Sequence, residues 1–400
     1  MVDESNSVNN ESDNSNISKG KYRSLRDIVE HVSGKSQSSS ALQQDSGLAE
    51  VLPFPFLAIV GQLEMKYALL LALINPAIGG VLLIGPRGTG KTTAIRGLVD
   101  LLPEIPRSLC YYGCLPEDIE AGGIDAVCPN CARKFALGEP LAAMDKIRLV
   151  ELPLNARIED VVGAADENIE GIEKYRLHRG ILAQADRNLL LVDEVNLLND
   201  DVVDAILDAA AYGSYVVKRG SVSATFRARF VLIGSMNPEE GRLRPQIMDR
   251  FGLRVVVEGL SDSSQRFEAY TRVHEFQKNP HKLVHEFSED TKIAQADIQT
   301  ARDILPEVIV PEKISTIGMG LIRDLAIDSL RAEITLFEAS RAYAALDGRL
   351  EVSEDDLRAT APMALRMRRS TYIEKFLSEQ SAEDEEIKKV VGDTLKLSGE

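Results

Sequence analysis

Eight consecutive residues, Gly85-Pro86-Arg87-Gly88-Thr89-Gly90-Lys91-Thr92, follow the spacing G-x-x-x-x-G-K-[ST]. Glycines in this pattern let backbone N–H groups converge on phosphate oxygens, and a helix starting at the end of the loop adds the positive end of its dipole. Lys91 then reaches β- and γ-phosphates and Thr92 offers a hydroxyl to Mg2+, with Thr93 completing the segment, so the expected ligand is ATP with Mg2+. Further along, Leu189-Leu190-Leu191-Val192 runs straight into Asp193-Glu194. An apolar strand ending in two carboxylates supplies a second contact for Mg2+, Asp193, and a group that polarises the attacking water, Glu194. A third apolar run ends in Gly234-Ser235-Met236-Asn237-Pro238. Asn237 reads either as the cap of a turn or, next to the other two motifs, as the side chain that orients that water.

All four cysteines fall in one stretch, Cys110-x3-Cys114-x13-Cys128-x2-Cys131. Two short-spaced pairs separated by a loop suit tetrahedral thiolate ligation, and the expectation is a structural Zn2+ site that braces an insertion and leaves no open position for chemistry. An Fe–S cluster, a reversible dithiol and plain free thiols stand as alternatives.

Positioning these groups needs strands and helices in alternation. Short runs apolar on both faces at 81–84, 149–154, 189–192, 230–233 and 255–257, separated by helical stretches such as 62–74 and 92–102, are what a parallel sheet covered on both sides requires. Beyond 261 the pattern turns helical, at about 263–277, 290–304, 312–329, 333–346 and 354–367. The predicted organisation is a disordered polar arm (1–50) with a short helix near 22–32, an α/β domain (51–260) with a four-cysteine insertion at 108–135, a helical domain (261–377) and an acidic tail (378–400). The arm holds twelve Ser and five Asn and too little apolar surface to offset the entropy of ordering.

Composition sets limits on function. Forty-six Lys+Arg against 62 Asp+Glu give a formal net charge of −16 over 400 residues, which disfavours a dedicated nucleic-acid binder. No run approaches the roughly 18–20 apolar residues that span a bilayer, and the N-terminus lacks a basic then apolar leader, so a cytoplasmic protein without membrane insertion is expected. A chain of this length divides into more than one domain, and its sparse cysteines are no secreted disulfide scaffold.

With these motifs in place, the chain resembles the magnesium chelatase subunit I family of AAA+ ATPases from about Pro53 to Arg369. The resemblance is carried by Phe54-Pro55-Phe56 with Ala58-Ile59-Val60-Gly61-Gln62, the phosphate loop, and Val192-Asp193-Glu194-Val195-Asn196-Leu197-Leu198. Asn237-Pro238-Glu239-Glu240-Gly241, Leu243-Arg244-Pro245-Gln246 and Asp249-Arg250-Phe251-Gly252 are its most specific part. It implies an AAA+ sheet sandwiched by helices with an all-helical lid, and a homo-oligomeric ring, a hexamer, with nucleotide at each interface. Arg250 matches the family's arginine finger, set against the plainer reading of an ion pair to a nearby acid, and Arg331 matches the sensor arginine carried on the lid and reaching back to the γ-phosphate. It implies ATP hydrolysis that drives Mg2+ insertion into protoporphyrin IX by partners, a von Willebrand A-type subunit and a large porphyrin-binding subunit. His178, in Arg176-Leu177-His178-Arg179-Gly180, lies where the family carries a pore-side hairpin. Departures are the complete cysteine set, Arg242 where an acidic residue is expected, and the two terminal segments. They leave open a related motor with a non-chelatase von Willebrand A-type partner, or a nucleotide-dependent regulatory scaffold.

Overall fold

The computed structural model describes residues 52–369 apart from 164, 167–175, 178 and 220–221. The predicted arm, its short helix, the acidic tail and His178 lie outside the described residues. Five strands, β1 (Val81–Ile84), β2 (Leu149–Leu152), β3 (Leu189–Val192), β4 (Val231–Met236) and β5 (Leu253–Val256), form one parallel sheet in the order β5-β1-β4-β3-β2. β1 and β3 are buried along their whole length, which is why their sequences are apolar without alternation.

Strand ends differ from the apolar runs for local reasons. β4 continues to Met236, past the end of the apolar run at 233, because Gly234, Ser235 and Met236 still pair with Leu82, Leu83 and Ile84 of β1. β2 stops at Leu152, just before Pro153, which has no N–H to give to a ladder. β5 begins at Leu253 and includes Arg254, a charged residue that breaks the apolar signal and is nonetheless fully buried.

Helices cover both faces. On one, Leu82, Ile84, Leu190, Val192 and Leu232 pack against α3 (Asp200–Tyr212). On the other, Val81, Leu83, Leu189, Leu191 and Ile233 pack against α1 (Leu63–Ile74), and the same buried cluster runs on into the C-terminal helices through Ile298, Leu336 and Leu357. α2 (Lys91–Leu98) follows the phosphate loop, and α4 (Pro245–Arg250) leads into β5. After 261 come α5 (Ser263–Lys278), α6 (Pro280–Glu286), α7 (Ser288–Ile304), α8 (Glu312–Asp324), α9 (Leu330–Leu346) and α10 (Glu354–Leu365). α6 was not expected from its spacing; the Asn279 side chain caps it by accepting the Lys282 N–H at 3.0 Å. α8 ends near Leu325 rather than at 329, with Ala326 in the left-handed region (φ 50°). α9 starts at Leu330, which puts Arg331 in its first turn.

Asp249, at the end of α4, ties this helical region to the sheet. Its carboxylate accepts from Arg368 at 2.7 Å, Ser329 at 2.9 Å and Arg254 at 3.3 Å, and both arginine side chains are buried. Burial alone would raise the Asp249 pKa; the Ser329 hydroxyl and the two guanidiniums outweigh it and hold the group below the usual carboxylate range.

Lys66 on α1 is another buried cation, donating to the Ile59 carbonyl. Burial, reinforced by Arg272 and opposed by Glu268, lowers its pKa to about 7. Between that value and the ordinary lysine pKa the unfolded chain holds one more proton than the folded one, so stability rises with pH there and the deficit is complete below about 7. In Lys66→Met the slope of unfolding free energy against pH, from urea titrations at pH 7.5–9, should be lower than in the parent by up to about 1.4 kcal/mol per pH unit. Identical slopes would remove Lys66 as the cause.

Candidate functional site

The phosphate loop joins β1 to α2. Gly88 and Gly90 take positive φ (79° and 85°), a backbone that lets successive N–H groups turn inward, and Gly90 is the residue at which α2 starts. Gly85 is required for another reason: a Cβ there would sit 2.1 Å from the Val257 carbonyl oxygen. Lys91 is buried, and its ammonium donates to the Gly85 and Pro86 carbonyls at 2.7 Å each. Burial lowers its pKa against the opposing pull of Asp193, Glu194 and Glu240. The loop therefore holds its own cation, ready to exchange two carbonyls for phosphate oxygens.

Strand order brings the remaining groups to it. β4 lies between β1 and β3, so its carboxyl end projects between the loop and the Asp193-Glu194 pair. Residues 87–93, Asp193, Glu194, Ser235 and Asn237 line one cavity of about 290 Å3. The structure thus gathers Arg87, Gly88, Thr89, Gly90, Lys91, Thr92, Thr93, Asp193, Glu194 and Asn237 around one space, with Gly85 and Pro86 at its base. Ser235, in sequence merely part of a strand end, uses its hydroxyl to donate to Asp193 Oδ1 and to accept the Glu194 N–H at 3.1 Å. It orients both acidic residues.

Asn237 accepts the Glu239 N–H at 3.3 Å as the cap of the short turn Pro238–Glu240, and it also forms part of the cavity wall. Glu194 adopts a left-handed backbone (φ 49°, ψ 51°), a costly conformation for a residue with a Cβ and one that accumulates at functional sites. Its carboxylate accepts from Arg87 at 2.9 Å, and Arg87 also pairs with Glu240. The Arg87 side chain faces acids rather than the loop it belongs to.

A second cavity of about 430 Å3 adjoins the phosphate loop at Gly88–Gly90 and Thr93, walled by Ile59, Val60, Leu260, Ala269 and Val273. Its wall is mostly apolar, with Gln62, Arg266 and Arg272 as polar groups, and it is large enough for a nucleobase. Its walls come from the segment before α1 and from α5, which are far apart in the chain, so spacing alone could not reveal it. The only local signal was the apolar pair Ile59-Val60.

Arg250 and Arg331 stand outside the residues that line either cavity. Arg250 pairs with Asp208 at 3.0 Å and Asp204 at 3.3 Å on α3, while Arg331 lies 3.6 Å from Asp249 and is half exposed. Arg331, the residue read as the lid's sensor arginine, docks beside α4, because the start of α9 at Leu330 sets Ser329 and Arg331 against Asp249.

The four cysteines converge as expected. All four sulfurs lie within 4.8 Å of one another, with Cys110 to Cys128 at 3.5 Å and Cys110 to Cys114 at 3.8 Å, and no disulfide joins them. Tetrahedral ligation with Zn–S bonds near 2.3 Å places sulfurs about 3.8 Å apart, so the set has the dimensions of a metal site. Backbone N–H groups of Tyr112 and Cys128 point at the sulfurs of Cys110 and Cys114, at 3.3 and 3.4 Å. An antiparallel pair, Ile105–Ser108 with Ala142–Asp145, closes the base of the module, and the helix Pro129–Ala136 starts at Cys128 and carries Cys131 in its first turn. Burial pushes the Cys114 thiol up to about 11 and Cys131 higher still, so a cation is what would make them thiolates at neutral pH. Among the described residues, no helix is long and apolar enough to cross a membrane.

Comparison with known proteins places these features in a family context. Profiles described as MCM P-loop domain and AAA lid domain match residues 161–264 and 321–390. The magnesium-chelatase 38 kDa subunit of Acidiphilium rubrum is 44% identical over 319 residues, covering 79% of this chain and 90% of that protein. The magnesium-chelatase subunit ChlI homolog of Methanocaldococcus jannaschii is 42% identical over 335 residues, covering 82% and 90%. A solved structure described as modelling of the complex between subunits BchI and BchD of magnesium chelatase is 39% identical, covers 81% of this chain and 99% of that one, and gives a TM-score of 0.45.

Filling the second cavity should separate base binding from phosphate binding. In Ala269→Trp, calorimetric affinity for ATP is expected to fall roughly tenfold or more, while that for inorganic tripolyphosphate stays within about twofold. Equal losses for both ligands would show that the base binds elsewhere.

Proposed function

The chain belongs to the magnesium chelatase subunit I family of AAA+ ATPases, and from that premise we propose that its ATP hydrolysis drives partner subunits to insert Mg2+ into protoporphyrin IX. The observation that carries the ATPase reading is the convergence of Lys91, Thr92, Asp193, Glu194, Ser235 and Asn237 on one cavity; the porphyrin client comes from the family.

Lys91 leaves the Gly85 and Pro86 carbonyls for the β- and γ-phosphates, and the loop N–H groups take the remaining oxygens. Thr92 Oγ and Asp193, the latter oriented by Ser235, would hold the Mg2+ that neutralises charge between those phosphates. Glu194 accepts the proton of the attacking water and Asn237 aligns that water, so Arg87 must release Glu194 before turnover. Arg250, at the end of α4 and paired with Asp204 and Asp208 of α3, stands outside its own chain's phosphate cavity, which supports a ring, a hexamer in this reading, in which it enters the neighbour's site. Arg331 shares Asp249 with the finger helix and would arrive at the same interface. The partners are a von Willebrand A-type subunit and a large porphyrin-binding subunit. The cysteine cluster is read as a structural Zn2+ site apart from the chemistry, supported by four thiol sulfurs within 4.8 Å of one another.

Purified chain should hydrolyse ATP only with Mg2+ present and, combined with chelatase partner subunits, form Mg-protoporphyrin. Turnover without metallation would point to a different client, and absence of turnover in the assembled parent would overturn the proposal. Glu194→Gln should keep ATP binding within about threefold and lose at least about 100-fold in kcat, the scale of a missing general base. Arg250→Ala and Lys91→Ala subunits, each inactive alone, should recover part of the parent rate when mixed; no recovery would place Arg250 outside its neighbour's site.

A further inference from the structure

The first cysteine pair does more than close its own loop. Tyr111 and Tyr112, which lie between Cys110 and Cys114, bring their rings within 5.9 and 5.6 Å of Phe226. Phe226 is buried in the hairpin of Ser214–Arg219 and Val222–Arg227, where it stacks on Tyr215 at 5.7 Å. The same hairpin root is held by polar contacts: Arg229 donates to the Gly113 carbonyl at 3.3 Å and Arg227 to the Ala126 carbonyl at 3.3 Å.

A second hairpin, Ala165–Asp166 with Arg176–Leu177, returns to the body of the protein at Arg179. The Arg179 guanidinium donates to the Cys110 carbonyl at 2.7 Å and sits 4.2 Å over the Tyr111 ring. Cys110 therefore offers its sulfur to the cluster and its carbonyl to the root of one hairpin, while its neighbours in sequence brace the other. Outside the cluster the module is held by its antiparallel base and by polar contacts, Asp118 with Arg229 at 3.2 Å and Arg227 at 3.5 Å among them. Its own apolar core is Cys114, Ile119, Cys131 and Leu141 with a few partly buried neighbours, too small to fix a loop without a cross-link.

We propose that Zn2+ in the four-cysteine cluster acts as a clasp on the two hairpins: closing the thiolates fixes Tyr111, Tyr112 and the Cys110 carbonyl, which hold Phe226 and Arg179. This rests on the structural-zinc reading above and adds what the metal controls. None of the clasp contacts involves a residue that lines the phosphate cavity, so the metal sets hairpin order independently of nucleotide binding.

Hydrogen exchange on the full-length protein, paired with zinc analysis, tests it. The parent should carry one Zn2+ per chain. Removing it with a chelator, or in Cys128→Ser/Cys131→Ser, should speed exchange across 179–184 and 214–227 by roughly tenfold or more, with β1 and α2 unchanged and ATP affinity within about twofold. Tyr111→Ala/Tyr112→Ala should keep its zinc yet show faster exchange in 214–227. Zinc that leaves without changing hairpin protection would overturn the clasp while sparing the zinc reading. Loss of protection spreading into β1 and α2 would also overturn it, making the metal a general brace. A parent free of zinc after metal-replete purification would end both.

Discussion

β4 is hydrogen-bonded on both sides, to β1 through the pairing of Leu83 with Ser235 and to β3 through that of Gly234 with Val192. Neighbouring strands lie about 4.8 Å apart, so the phosphate loop and the Asp193-Glu194 pair are held two strand spacings from each other. The cavity opens across that gap, and the end of β4 fills its floor with Ser235 and Asn237. Gly234 permits the arrangement, since a Cβ there would come within 2.9 Å of the Phe251 ring. The gathering of Lys91, Asp193, Glu194, Ser235 and Asn237 around one cavity depends on this one ladder.

Charge is arranged around that frame in two groups. Arg87 joins Glu194 to Glu240 near solvent, where ion pairs are weak and readily exchanged. Asp249 instead meets buried Arg254 and Arg368, where removing one partner of a pair typically costs about 3–5 kcal/mol. The contrast suits their tasks. In the proposed cycle Glu194 has to be released by Arg87, whereas the seat of α4 beside α9 and α10, which carries Arg250 and meets Arg331 at Asp249, has to hold.

Much of this is legible in the sequence. β1 and β3 matched their apolar runs residue for residue, because strands buried on both faces need unbroken apolar sequence, and the phosphate loop announces itself by glycines and a lysine that few other structures require. The cysteine quartet was equally plain. Less visible were Ser235, whose role depends on a strand paired on the far side of it, Arg254, whose charge is compensated by residues from α4 and the end of α10, and α6, whose cap is a single asparagine before a proline. The second cavity was barely signalled for the same reason: its walls meet only after α5 folds back over the segment before α1.

The amino-acid order by itself determined the local chemistry: which residues can face a phosphate, a metal or a water, and which stretches must be buried. Those properties depend on residue type and on spacing along a strand or helix, so they survive without knowledge of the fold. Tertiary structure alone decided which groups share a space. Arg331 sits with Asp249 rather than in the phosphate cavity, and Arg179 and Phe226 rest on the cysteine loop, because both are outcomes of packing between elements distant in the chain, for which no local pattern carries a signal.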